Sequence, residues 1–270
     1  MIRSVLATMT AGVTLAALTA ACGGASAEQS PPGARPTVVL VHGAFADSSS
    51  WNGVIKVLES EGYPVIAAAN PLRGLHSDAE YVRSVLDSVS GPMVVAGHSY
   101  GGSVMSEAAD GNPNVKALVY IASFILETGE STSDLAAKFP GAQLGPALDT
   151  VAFPLPDGGE GSDLYIKQDE FRKVFAADVS EDVTRLMAAT QRPITSAALE
   201  EAATKTAWKT VPSWNLITTE DLAVPAESQR FMGERADAHN VEIKASHAVT
   251  VSQPDAVAKL IGEAAGAATA

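Results

Sequence analysis

Gly97-His98-Ser99-Tyr100-Gly101 sets a serine between two glycines in the order G-x-S-x-G. When a strand leads into such a pentapeptide and a helix leaves it, the sharp turn exposes the central hydroxyl at the end of a sheet. There it can attack an electrophilic carbonyl. Gly97 and Gly101 lack the Cβ atoms that would collide across the turn, and Gly102-Ser103 keep the bulk low for close helix packing. A serine hydroxyl is a weak nucleophile and needs a base. Of the five histidines, His247 in Ala245-Ser246-His247-Ala248 follows the last strand-like run and precedes the final helical pattern. That position is the carboxyl edge of a parallel sheet, where catalytic groups gather. His42 reads as a loop-shaping residue and His98 as inward-pointing, whereas His76 and His239 sit in polar, exposed surroundings. The base needs a carboxylate to orient its ring. Thr218-Thr219-Glu220-Asp221 offers two acids after another strand-like run, and Asp221 is assigned the role with Glu220 as the alternative. Charge developing on the substrate oxygen calls for backbone donors. The amides of Ala44, in Val41-His42-Gly43-Ala44-Phe45, and of Tyr100, directly after the serine, stand in the right loops.

These residues need elements to bring them together. Residues 37–41 form an unbroken β-branched and aliphatic run, the pattern of a strand buried on both faces. Similar runs occupy 63–69, 92–96, 117–123, 214–218 and 241–244. Helical spacing falls between them: Trp51, Val54, Ile55 and Leu58 repeat within 49–61, and further helical stretches cover 78–88, 100–110 and 254–264. Alternation of this kind predicts an α/β fold with a mostly parallel sheet and helices on both faces. The rhythm breaks between about 125 and 207. A loop-like stretch over 140–161 is followed there by helical patterns at 169–177, 182–189 and 196–205, predicting a mainly helical cap over the strand ends.

The chain has 270 residues, 46% hydrophobic and 18% charged, which supplies a sizeable core and excludes an intrinsically disordered protein. Its 18 Lys and Arg against 31 Asp and Glu give a net charge of −13, which would repel a phosphate backbone, so no nucleic-acid partner is expected. A single cysteine, Cys22, excludes an intramolecular disulfide, and no metal-ligand cluster is visible, so no metal and no cofactor is expected. Arg3 followed by an uncharged apolar run over 5–21 reads as a secretory signal within residues 1–27. Ala25-Ser26-Ala27 fits ordinary cleavage. Leu18-Thr19-Ala20-Ala21-Cys22-Gly23 resembles a bacterial lipobox, with Leu18 one place further upstream than usual, and would make Cys22 the acylated membrane anchor. The expectation is therefore an exported protein, secreted or held as a cell-envelope lipoprotein. A flexible spacer over 28–35 then leads into a folded domain over 36–270.

Taken together, the residues resemble the α/β-hydrolase superfamily. Within it they resemble the branch of plant methylesterases, hydroxynitrile lyases and their bacterial esterase relatives. The resemblance is carried by Leu40-Val41-His42-Gly43-Ala44 with Trp51, by Gly97 to Gly102, by Thr219-Glu220-Asp221 with Pro225, and by Ser246-His247. It implies cofactor-free hydrolysis of carboxylic esters through an acyl-enzyme, with the acids and bases in the chain order Ser, Asp, His. It also favours the second acid of the Glu220-Asp221 pair. Some members of the superfamily instead keep the acid after an earlier strand, where Glu127 and Glu130 stand. Lyases of this branch carry a threonine beside the oxyanion loop and a lysine after the histidine. Gly43 and Ala248 hold those places here, which favours hydrolase over lyase. Phe45, Tyr100 and Phe124 flank strand ends as candidate pocket walls. With Phe139, Phe153, Phe171 and Phe175 in the cap, they suggest a small to medium apolar ester or lactone. Two other functions fit the same scaffold: a ligand-binding protein, and a cofactor-free haloperoxidase or C–C bond hydrolase.

Overall fold

A computed structural model describes residues 35–268. The signal expected over 1–27, the lipid-attachment residue Cys22 and nearly all of the spacer lie outside the described residues. In chain order the first half is β1 (Thr37–Val41), α1 (Asn52–Ser60), β2 (Val65–Ala68), α2 (Leu75–Asp87), β3 (Met93–His98), α3 (Tyr100–Ala109) and β4 (Val115–Ile121). The cap follows as α4 (Thr132–Lys138), β5 (Leu148–Pro154), β6 (Glu160–Ile166), α5 (Gln168–Phe175), α6 (Glu181–Thr190), β7 (Ile194–Thr195) and α7 (Ser196–Glu200). The chain then returns to the core with β8 (Ser213–Thr218), α8 (Ala226–Arg235), β9 (His239–Ile243), α9 (Val249–Ser252) and α10 (Pro254–Ala267).

Six strands form the main sheet in the order β2-β1-β3-β4-β8-β9, and every neighbouring pair runs parallel. The apolar runs predicted this, because alternate residues of each central strand enter different cores. Val39, Val41, Met93, Val95, Leu118 and Tyr120 pack into one cluster with α2, α3 and the cap. Val38, Leu40, Val94, Ala96, Ala117 and Val119 pack into the other with α1 and α10. Parallel strands also put their carboxyl ends on one edge. The loops after β1, β3, β8 and β9, which carry Ala44, Ser99, Asp221 and His247, therefore converge.

The cap departs from the sequence expectation in two places. Residues 140–161, expected as loop, contain most of an antiparallel hairpin in which β5 pairs with β6 from Leu148↔Ile166 to Pro154↔Glu160, and β7 adds a short third strand. Both strands are largely exposed or half-buried, so they have no continuous apolar run to betray them. The helix expected over 196–205 stops at Glu200. Beyond it the backbone pairs with the core instead: Ala203 N donates to Glu130 O at 2.9 Å, and Thr204 N to the Glu107 carboxylate at 3.2 Å.

A short stretch of the cap, 191–195, also pairs with the core. Phe45 N donates to Arg192 O at 3.0 Å, and Thr195 N to Leu72 O at 3.1 Å. The Arg73 guanidinium reaches Asp163 at 2.7 Å and Pro193 O at 2.8 Å. Phe45 and Leu72 both have left-handed backbones, with φ +59° and +62°.

Candidate active site

Ser99 sits where β3 turns into α3, with φ +53° and ψ −128°. That conformation is costly for a non-glycine residue and persists only where its surroundings impose it. Here Ser99 N donates to Ile121 O at 3.2 Å, and Ser99 O accepts from Ser123 Oγ at 2.7 Å and Gly102 N at 3.0 Å. The loop after β1 presses against this elbow. A Cβ added at Gly43 would lie 2.7 Å from Ser99 Cβ and 2.8 Å from His98 O. A Cβ at Gly101 would run into the Val41 carbonyl oxygen.

The Gly43 approach sets the two amides expected to bind an oxyanion beside the serine. Tyr100 N is the first amide of α3, a position with no acceptor within the helix. Its phenol is committed elsewhere, donating to Asp78 at 2.9 Å, and burial together with the Asp78 charge pushes the Tyr100 pKa well up. Ala44 N has no acceptor among the described residues, whereas the next amide, Phe45 N, is taken by Arg192 O. His42 braces this loop. Its Nδ1–H donates to Gly43 O at 2.9 Å while its Nε2 accepts from Asn70 N at 3.0 Å, and burial holds the ring neutral by lowering its pKa.

His247 and Asp221 meet in the core, with Nδ1 to Oδ2 at 2.7 Å. A carboxylate only accepts, so Nδ1 carries the proton and Nε2 is left as the basic nitrogen. Asp221 is itself well held: Oδ1 accepts from Ala223 N and Val224 N, each at 2.8 Å, and Oδ2 from Thr218 Oγ1 at 2.9 Å and Gln229 Nε2 at 3.1 Å. The other acids weighed from sequence are occupied elsewhere. Glu220 is exposed and lies 3.4 Å from Lys244, Glu127 pairs with Lys209, and Glu130 pairs with Arg235 at 2.8 Å.

His98 holds the backbone of the same histidine. Its Nε2–H donates to His247 O at 2.9 Å, and the two rings stand 4.7 Å apart. Burial, with the neighbouring His247 second, pushes the His98 pKa down to about 3, so the ring stays neutral. Phe175 closes the other side, its ring 4.9 Å from that of His247. Phe124 lies against the elbow, its amide 3.4 Å from Ser99 O. His76, read as a bystander, hydrogen-bonds Glu107 at 2.6 Å in the α2–α3 interface.

The site is closed, with Ser99 7% exposed and His247 1%. A cleft of about 230 Å³ opens beside the oxyanion loop, lined by Phe45, Asp47, Val183, Leu186, Met187 and Val251 among others. Neither Ser99 nor Phe124 lines it. Among the described residues, no group of three or more His, Cys, Asp or Glu side chains is placed to hold a metal ion.

Known proteins similar to this chain are hydrolases and esterases by name. An alpha/beta hydrolase of the fungus Aspergillus novofumigatus is 28% identical over 258 residues, covering 87% of this chain and 98% of the relative. A pyrethroid hydrolase of Sphingobium wenxiniae is 24% identical over 256 residues, covering 85% and 88%. Among solved structures, polyneuridine aldehyde esterase shares the fold with a TM-score of 0.75 at 22% identity, over 85% of this chain and 98% of that one. The model of the alpha/beta hydrolase family matches residues 38–260, so this chain belongs to that family.

Proposed function

We propose that this chain is a serine hydrolase that cleaves carboxylic esters through an acyl-enzyme. The observation that carries the reading is the buried 2.7 Å contact of His247 Nδ1 with Asp221, joined to the left-handed Ser99 elbow by His98, whose ring donates to His247 O at 2.9 Å. In this reading His247 Nε2 takes the proton of Ser99 Oγ as that oxygen attacks the ester carbonyl. Asp221 steadies the imidazolium that forms, and the Ala44 and Tyr100 amides receive the oxyanion. Collapse expels the alcohol, protonated by His247. Water activated by the same nitrogen then attacks the acyl carbonyl, releases the acid and restores Ser99.

The substrate class we infer is a small to medium apolar ester or lactone. Support comes from the apolar side chains Phe45, Val183, Leu186 and Met187 in the cleft beside the Ala44 loop. Relatives named as a pyrethroid hydrolase and an esterase point the same way. Cyanohydrin cleavage is disfavoured, because the space at Gly43 admits no threonine side chain so close to Ser99 Cβ. The test is a panel of p-nitrophenyl esters of increasing acyl length, with lactones, on the wild type and Ser99→Ala. Saturable turnover of short acyl chains, lost by a factor on the order of 10⁴ or more in the variant, is the expected result. A wild type that binds these compounds without turning them over would instead identify a ligand-binding protein.

A further inference from the structure

We propose that Asp178, supplied by the cap, is a positioning residue for His247; the proposal rests on the reading of His247 as the catalytic base. The need for such a residue comes from the topology. β9 is the edge strand and is separated from β3 by β4 and β8. The loop after β9 must therefore lean back across two strand ends to bring His247 towards Ser99, and the loop after β8 holds only its first part, with Glu220 N donating to Ala245 O at 3.1 Å.

What holds it is a set of contacts to three successive residues. In the middle, His98 from the elbow donates to His247 O at 2.9 Å. On both sides the partner is the segment that ends α5. Phe175 O accepts from Ala248 N at 2.9 Å, just after the histidine. Just before it, the Asp178 carboxylate takes both groups of Ser246. Oδ2 accepts from Ser246 N at 3.1 Å, and Oδ1 accepts from Ser246 Oγ. Ser246 is 3% exposed while Asp178 stands at the surface, so an exposed carboxylate reaches inward to a buried serine. Both oxygens of one carboxylate thus accept from the same residue, which suits a clamp. The Phe175 ring against the His247 ring completes the seat. Removing Asp178 leaves Ser246 with only the longer 3.5 Å contact of its Oγ with Phe175 O, so the approach of the ring from that side is less firmly fixed. Asp178 therefore acts on the rate of the chemical step, through His247, and not on substrate binding.

The test compares Asp178→Ala and Asp178→Asn in the full chain. Asparagine keeps an acceptor for Ser246 N and gives its Oγ a donor, so it should behave nearly as wild type. Alanine removes both contacts. For a short p-nitrophenyl ester, Asp178→Ala should lower kcat about tenfold with KM within twofold of wild type, while Asp178→Asn stays within twofold in both. A second readout does not depend on turnover: the downfield proton resonance of the His247 Nδ1–H held by Asp221. It should persist in wild type and Asp178→Asn and broaden into exchange with water in Asp178→Ala, with circular dichroism unchanged. A sharp resonance in Asp178→Ala would overturn the proposal whether or not the chain hydrolyses esters. So would a raised KM with kcat unchanged, or an asparagine variant as impaired as alanine. Absent turnover in the wild type, with the resonance behaving as expected, would instead count against the ester reading and leave the Asp178 clamp supported.

Discussion

His247 is held at its ring by Asp221 and at its backbone by His98, and each of these contacts carries its own expected cost. At the ring, Asp221→Asn keeps an oxygen for Ala223 N and Val224 N but turns an amide NH2 towards Nδ1, which imposes the wrong tautomer and should lower kcat by a factor on the order of 10⁴, the scale of the same change in a serine protease. Glu220→Gln, one residue away but exposed and facing Lys244, should stay within a few-fold; steady-state kinetics on one ester reads both. At the backbone, His98 contributes as a buried neutral ring. Its folded pKa, about 3, lies below the ordinary 6.5, so the unfolded chain takes up a proton on this residue before the folded chain does. The stability it contributes is present above 6.5 and is lost as pH falls from 6.5 towards 3. His42 has the same sign. His98→Gln, which keeps a donor, should therefore show a shallower fall in urea midpoint between pH 7 and pH 4 than the wild type. An equal slope in the two proteins would contradict that assignment. Ser99 and His247 were legible in the sequence because each is marked by local context, an elbow motif and a strand-to-helix turn. Asp221 was harder, because spacing alone cannot separate two adjacent acids in a loop. His98 and Asp178 contact their targets across 149 and 68 residues of chain, and no local pattern reports such distances.

Among the elements, the main sheet was readable because strands buried on both faces must be apolar throughout, as β1 and β3 are. The β5–β6 hairpin was not, since strands with one thin, half-buried face are free to carry Asp149, Thr150 and Ser162 in no fixed alternation. The cap matters to the site because its 191–195 stretch occupies Phe45 N, whereas the neighbouring Ala44 N has no acceptor among the described residues. Arg73 fastens that stretch through Asp163 and Pro193 O, and its guanidinium lies over the Phe153 ring at 5.6 Å. Its ion pair is partly exposed, so Arg73→Ala should cost at most about 1 kcal/mol of global stability. The larger effect is expected locally. Limited proteolysis at the 155–159 turn should accelerate several-fold, and kcat should fall as the oxyanion loop loses its brace. An unchanged digestion rate would show that the cap is seated without Arg73.

On the scale of the whole molecule, Ser99 has little surface of its own, so under the proposed function the side chains around it must move to admit substrate. The net charge of −13 suits uncharged substrates better than anionic ones. We propose in addition that the chain is exported and anchored through an acylated Cys22. The full-length product should then fractionate with membranes in a bacterial host, and Cys22→Ser should release it. One acyl chain binds a membrane only marginally, so the mature terminus must carry more than one. A soluble mature protein beginning at Glu28 would contradict the anchor and support ordinary cleavage.

All of these expectations depend on Ser99 being an activated nucleophile, and covalent labelling tests that most directly. The folded protein would be treated with a fluorophosphonate ester, digested, and mapped by mass spectrometry. The account predicts one stoichiometric adduct on the peptide carrying Gly97-His98-Ser99-Tyr100-Gly101, located at Ser99, and no adduct in Ser99→Ala. A folded wild-type protein that stays unlabelled, or that carries the adduct on another residue, would contradict it.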